Sequence, residues 1–249
     1  MRENKEKVIN EFKRIRDLGY VKNTRLGNRD GGIGNTFEDL LGVTENNLRD
    51  PDFLGFEVKT KRHLNTSYIT LFSKSPSHPS GANSILRERY GEVRDVNHPN
   101  HKKLYSSVFG NRNSLVYGKY NMKLNLDKDK EKLILEVTDL DTKEFDDSVY
   151  WTFNDIKISS SKMKSLIVVS AVEKEIDNER HCHFNNSSIY FDFNFDKFLK
   201  CIETGKIMFD IRIGVHNSGK NIGRTHDHGS GFRVKKENVS ELFDEVVLV

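Results

Sequence analysis

Residues 206–216 alternate without interruption. Ile207, Phe209, Ile211, Ile213 and Val215 fall on one parity, and Met208, Asp210, Arg212, Gly214 and His216 on the other. A period of two over this length describes a β-strand with one face on a hydrophobic core. It also fixes the register, because a one-residue slip would turn all five apolar side chains outward. The N-terminus carries a different period: Val8, Phe12, Ile15 and Leu18 recur at helical spacing in residues 5–18, which predicts an amphipathic helix. Both periods in one chain without internal repeats predict an α/β domain of the mixed α+β kind.

Further strands are expected over 55–60, 67–72, 133–137, 149–153, 166–171, 188–193 and 246–249, and a helix over 196–203. Thr36, with Asp39 three positions on, reads as the N-cap of a short helix through Leu40 and Leu41. The preceding Gly31-Gly32-Ile33-Gly34 reads as a loop. Three of the four prolines lie in 75–118, so that stretch is expected to be loops around a short helix near 85–90. A chain of 249 residues with 16 Phe can bury a core as one large domain or two joined lobes. No apolar run approaches the ~20 residues of a membrane span, and the first twenty residues lack a signal-peptide core, so a cytosolic protein is expected. Cys182 and Cys201 are too few for a disulfide framework or a four-cysteine zinc site.

The formal charge of +3 conceals a segregation. Residues 59–103 hold nine Lys or Arg against three acids, and 212–236 hold six against Asp227 alone. Residues 127–147 hold nine acids against four bases. Such segregation fits a polyanion-facing surface with an acidic reverse side, and equally fits ordinary solvated faces.

The chemistry-bearing segment runs from Glu38 to Lys59. On a strand, Glu57 and Lys59 share a face while Phe56 and Val58 point to the core. Asp52 has the wrong parity for a straight strand, but a bend at Pro51 and Gly55 would return it beside Glu57. Two carboxylates and a main-chain oxygen would then make a hard-oxygen pocket suited to Mg²⁺. Lys59 could orient a water and offset charge on a phosphorane-like transition state. Glu38 could add a carboxylate from a separate element. A surface strand with an ion pair fits the same residues, and the acid-x-Lys tripeptide occurs five times in the chain, so the tripeptide alone signals little.

Gly34-Asn35-Thr36-Phe37-Glu38-Asp39-Leu40-Leu41, Pro51-Asp52-Phe53 and Glu57-Val58-Lys59-Thr60 resemble the MvaI/BcnI/MutH branch of the PD-(D/E)XK nucleases. The likeness continues in order through Thr70-Leu71-Phe72-Ser73-Lys74-Ser75-Pro76, Arg87-Glu88-Arg89-Tyr90-Gly91, Asp147-Ser148-Val149-Tyr150-Trp151 and Asp210-Ile211-Arg212-Ile213-Gly214. It ends with Ser218-Gly219-Lys220, Thr225-His226-Asp227-His228-Gly229 and Phe232-Arg233. The acidic middle segment and 172–187 resemble it least.

The resemblance implies a restriction-endonuclease-like fold, a central mixed sheet flanked by helices, with two lobes around a DNA cleft. Residues from about 1 to 171 would be mainly catalytic and 172–249 mainly DNA-reading, with lobes that need not be continuous in sequence. It implies a Mg²⁺-dependent type II restriction endonuclease whose catalytic set is Glu38, Asp52, Glu57 and Lys59, with Asp52 and Glu57 on the metal. The partner would be double-stranded DNA at a C·G-flanked site, CC(A/T)GG first or another CCNGG. Asp210, Arg212, Asp227 and Arg233 would read the outer pairs, since arginine suits guanine and aspartate suits cytosine N4, with His226 or His228 near the centre. Lys61, Arg62 and Lys74 are phosphate-contact candidates. The enzyme would act as a monomer nicking each strand in turn, with a cognate DNA methyltransferase implied genetically and no stable protein partner required. A MutH-like partner-activated nickase and a non-catalytic DNA-binding module are the alternatives. His226, His228 and His216, or His181, Cys182 and His183, also offer zinc-type donors without an obvious partner pair.

Overall fold

The computed structural model describes residues 4–24, 32–43, 51–62, 68–93, 98, 101–216 and 218–249. Gly31 and residue 67 of the expected loop and strand lie outside these. The chain divides into two compact units, 1–69 with 161–194 and 239–249, and 70–160 with 195–238. The divide expected near residue 171 falls inside the strand Ser165–Ile176. That strand pairs along its length with Glu179–Phe193, with a register shift between Ser170 and Ala171, so the ladder continues on both sides of residue 171. Among the described residues, no helix is long and apolar enough to cross a membrane.

The first unit is built on a mixed sheet ordered Val21–Lys22, Glu179–Phe193, Ser165–Ile176, Glu57–Arg62, with Phe243–Leu248 also paired to Glu179–Phe193. Residues 165–171 are buried throughout, as expected for a strand covered on both faces. Glu57–Arg62 runs parallel to it, with Leu166 opposite Glu57. The helices Lys5–Asp17 and Gly32–Leu40 give Val8, Phe12, Ile15, Ile33 and Phe37 to a core shared with Phe56, Val58, Ile167 and Phe191. Phe56 and Val58 thus face the helices, and the opposite parity of Glu57 and Lys59 projects from the other side of the strand.

The glycine-rich segment departs from expectation, because Gly32 and Gly34 are helical. Thr36 does not cap that helix. Its Oγ1 donates to the Gly32 carbonyl at 2.7 Å and accepts the Thr24 amide at 3.1 Å. Gly34 serves close approach: a Cβ there would sit 3.2 Å from Thr60 Oγ1, so the helix can lie directly against the Glu57–Arg62 strand.

The second unit holds a sheet ordered Ile69–Ser73, Gly231–Val234, Ile207–Val215, Lys102–Phe109, Glu92–Val93, with Thr225–Asp227 also paired to Ile207–Val215. It also holds a four-stranded sheet ordered Ser114–Val116, Tyr120–Asp127, Lys132–Asp139, Phe145–Thr152. Aromatic rings join the two sheets: Trp151 meets Phe209 edge-on at 4.6 Å, and Phe232 lies 5.2 Å from both Phe209 and Phe72. The indole nitrogen of Trp151 donates to the Lys74 carbonyl at 3.1 Å, so its polar atom is satisfied inside the core. The short helix expected near 85–90 is Ala82–Tyr90, but residues 75–118, otherwise expected as loops, also contain the interior strand Lys102–Phe109. Only Leu104, Val108 and Phe109 of that strand are buried, and its lysines, tyrosine and serines dilute the alternation.

Phe56 is fully buried and meets Phe191 edge-on at 5.5 Å, anchoring the strand that carries Glu57. Phe56→Ala is expected to lower the unfolding free energy of this unit by ~3–5 kcal/mol in urea titrations of the full chain.

Candidate active site

A tight hairpin opens the site. Phe53 and Phe56 exchange backbone hydrogen bonds of 3.0 and 2.8 Å. The two residues between them, Leu54 (φ 50°) and Gly55 (φ 88°), both have positive φ, the mirror-image turn that matches strand twist. The reversal carries Asp52 back alongside the strand, where its Oδ2 accepts the Val58 amide at 2.8 Å. The parity obstacle in the sequence is removed by this turn.

Glu57 opens the edge strand and is only 1% exposed. Its Oε1 accepts Lys59 Nζ at 2.5 Å, as the shared strand face requires, and also Lys162 Nζ at 2.7 Å. Oε2 is buried with no hydrogen-bond partner among the described residues. Lys162 was not singled out from sequence. It lies in the short 3₁₀ helix Ser161–Lys164 that leads into Ser165–Ile176, and the parallel register of Leu166 with Glu57 brings that entry beside the carboxylate. The signal available was Lys162 and Lys164 flanking an apolar Met163 ahead of a buried strand, too common a pattern to stand out.

Glu38 lies one turn beyond Gly34 on the helix stripe that faces the strand, and is half-buried. Among the described residues no group of three or more His, Cys, Asp or Glu is arranged to hold a metal. Lys61 is buried, and Arg62 Nε is bonded to Glu173 Oε2 at 2.5 Å. Lys74 stands 3.9 Å from Asp155 in the second unit.

In the second unit, Asp210 is a junction for two arginines. Its Oδ2 lies 2.7 Å from Arg212 Nε and 3.1 Å from Arg233 Nε, and Ser107 Oγ donates to Oδ1 at 3.2 Å. Arg212 keeps its terminal nitrogens without a partner among the described residues and is 44% exposed at the side chain. Asp227 is saturated: Oδ1 accepts the Gly229 and Ser230 amides at 2.9 and 2.6 Å, and Oδ2 accepts Asn83 Nδ2 at 2.8 Å and Ser75 Oγ at 3.1 Å. The rings of His216, His226 and His228 form a chain with centroids 4.2 and 4.4 Å apart. Burial lowers the His228 pKa, as do the neighbouring His226 and Lys103, against the pull of Asp227. Its neutral form, with one donor and one acceptor, is thereby favoured. His181 and His183 bond to the carbonyls of Glu179 and Arg16. Burial, with Glu173 nearby, pushes the Cys182 thiol up to about 12.

A family model described as the MvaI/BcnI restriction endonuclease family matches residues 9–243. The chain belongs to this family. Among solved structures, the MvaI–cognate DNA substrate complex matches at 36% identity and TM-score 0.87, covering 100% of this chain and 99% of that one. MvaI in the absence of DNA matches at 36% identity and TM-score 0.63, covering 96% and 95%. Comparison with curated proteins gives no match. As a member of the MvaI/BcnI family, the protein is a type II site-specific deoxyribonuclease with the mixed α+β fold of MvaI.

Restriction endonucleases of this kind use a divalent metal, and Asp52 and Glu57 fit one. Each keeps a carboxylate oxygen, Asp52 Oδ1 and Glu57 Oε2, without a donor among the described residues, and hard oxygens suit such a cation. Burial raises the Asp52 pKa above its ordinary value, and the charge of Glu57 adds to the rise. The Val58 amide, Lys59 and Lys162 oppose it. A carboxyl raised in this way binds its proton more readily folded than unfolded, so its ionised form costs stability at neutral pH and the cost vanishes as pH falls through the raised value. In EDTA, Asp52→Asn should therefore melt above the parent at neutral pH. The gap should close on acidification. Equal melting at pH 7 would mean the Asp52 charge is already compensated.

Proposed function

We propose that this enzyme cleaves double-stranded DNA at a short C·G-flanked site, CC(A/T)GG first among CCNGG sequences, with Mg²⁺ held by Asp52 and Glu57. The observation that carries the reading is the pair of donor-free oxygens on Asp52 and Glu57, beside the ammonium of Lys59. The double-stranded substrate is supported by the solved complex of MvaI with its cognate DNA. A divalent cation bound there acidifies a water and offsets charge on phosphoryl oxygens. The chain's own groups do the rest. Asp52 is fixed by the Val58 amide, so its free oxygen is held in place. Lys59, charged and unable to accept a proton, donates hydrogen bonds to a phosphate oxygen or to the attacking water. Glu38 contributes from the adjoining helix.

Base reading belongs to the second unit. Arg212 and Arg233 donate to guanines, and His226 or His228 meets the central pair. Asp210 and Asp227 act first as anchors, because Asp210 accepts from Arg212 and Ser107 with Arg233 as a further ion-pair partner, and Asp227 accepts from the Gly229–Ser230 turn. Any contact of theirs with cytosine N4 is made from these fixed positions. Lys61, Arg62 and Lys74 are assigned to the phosphate backbone only secondarily, given the burial of Lys61 and the pairing of Arg62 with Glu173. A single acidic centre among the described residues supports a monomer that nicks each strand in turn. A cognate methyltransferase would protect host sites.

Plasmid digestion with Mg²⁺ followed by run-off sequencing of the ends reads site, cut position and strand usage together. Asp52→Ala and Glu57→Ala should abolish cleavage while leaving site-specific binding in Ca²⁺ intact. Full activity of either variant removes this centre from consideration. Arg212→Ala should lose ~1–3 kcal/mol of discrimination at one guanine, because a bidentate base contact is gone. That loss is measured by comparing binding to duplexes differing only at the outer pairs. Failure to cut any CCNGG duplex would sink the proposed site while leaving the nuclease assignment standing.

A further inference from the structure

We infer that Lys162 is a positioning residue for the cleavage reaction: it is the standing counter-charge of Glu57, which releases Lys59 to work on the substrate. The inference rests on the reading of Asp52 and Glu57 as the cleavage centre. Glu57 is 1% exposed, and both lysines converge on the same oxygen, Oε1, while Oε2 has no partner among the described residues. A buried carboxylate needs a cation, and losing its only one leaves an uncompensated charge in a low-dielectric site. If Lys59 were alone on Glu57, any movement toward a phosphate would strand that charge. A second ammonium at 2.7 Å removes the obstacle. Lys162 is suited to stay. Met163 beside it is fully buried, and the strand that begins at Ser165 is locked in parallel register with the Glu57 strand. Fixing Oε1 with two donors also fixes which oxygen remains open.

The arrangement makes two effects of removing Lys162 run in opposite directions. Local charge becomes more negative by one, so a divalent cation binds more tightly. Lys59 becomes the sole partner of Glu57 and is held back, so cleavage slows. A lysine needed only for folding would weaken both.

The test uses the full chain with Lys162→Met and Lys162→Arg. Three quantities are measured: single-turnover cleavage of a plasmid at saturating Mg²⁺, Mn²⁺ affinity by paramagnetic resonance without DNA, and melting temperature in EDTA. Lys162→Met is expected to cleave about a hundredfold more slowly, within the range seen when one preorganised donor is removed, and to bind Mn²⁺ more tightly. Lys162→Arg, which keeps the charge and a donor toward Oε1, should recover most of the rate. Parent-like cleavage by Lys162→Met overturns the inference. So does a joint fall in Mn²⁺ affinity, melting temperature and rate, which marks a structural lysine only. Should Lys162→Met fail to fold, Lys162→Arg decides: near-parent cleavage supports the inference, and a folded but slow Arg variant with unchanged Mn²⁺ affinity overturns it. Asp52→Ala run alongside separates the two levels. If it is inactive while Lys162→Met is normal, only the role of Lys162 is lost. If it cleaves fully, the cleavage centre itself is misplaced.

Discussion

The Glu57 carboxylate is the constraint around which the first unit is organised. A charge this deeply buried is tolerated only with excellent pairing, and the fold supplies it from two directions. Strand periodicity places Lys59 on the same face two residues on, and the parallel neighbour delivers Lys162 from the turn that precedes it. Asp52 is then added as a second negative group nearby, held by one backbone amide. Two acids and two lysines nearly balance, but the balance is uneven by atom. The lysines share one oxygen, and one oxygen on each acid stays open. That unevenness separates a site poised for a cation from a closed ion-pair network.

The second unit solves a different problem with similar means. Its aromatic layer of Trp151, Phe209, Phe232 and Phe72 fixes the strand Ile207–Val215, and the opposite face of that strand holds Asp210 against two arginines. An arginine held through Nε keeps its terminal nitrogens for a partner and loses little rotamer freedom on binding one. Asp227 plays the corresponding role for its loop, tying Gly229 and Ser230 to itself and, through Ser75 and Asn83, to the segment around the Ala82–Tyr90 helix. Both aspartates spend acceptors on the protein, whereas Arg212 keeps its terminal nitrogens open among the described residues.

The two periods in the sequence were enough for the main elements of both units. The helix Lys5–Asp17, the strand Ile207–Val215 and the shared face of Glu57 and Lys59 all follow from parity or helical spacing. What escaped has physical causes. Gly34 sits in a helix packed closely against Thr60, and composition cannot tell that from a loop. The strand Lys102–Phe109 carries polar residues on both faces despite its interior position. The unit boundaries follow ladders joining residues far apart in sequence, which no local pattern reveals. Lys162 escaped for the same reason, since only the register between two strands brings it to Glu57.

The tripeptide acid-x-Lys illustrates how context turns a worthless signal into a site. In the helix Lys5–Asp17, Glu11 and Lys13 cannot face each other at a spacing of two, and Glu11 pairs with Arg14 at 2.7 Å instead. In the helix Phe153–Ser160 the same spacing fails again: Asp155 accepts the Thr152 hydroxyl at 2.5 Å, and Lys157 lies over the Phe195 ring at 4.9 Å. Asp141 and Lys143 sit exposed in the turn after Lys132–Asp139. Among the described copies, only at Glu57 does a strand put both side chains on one face, with apolar neighbours on the other and a two-residue turn just upstream to return a second acid. The chemistry is therefore specified less by the residues themselves than by the period of the element that carries them. A helix drawn through 57–59 would have left an ordinary acidic surface.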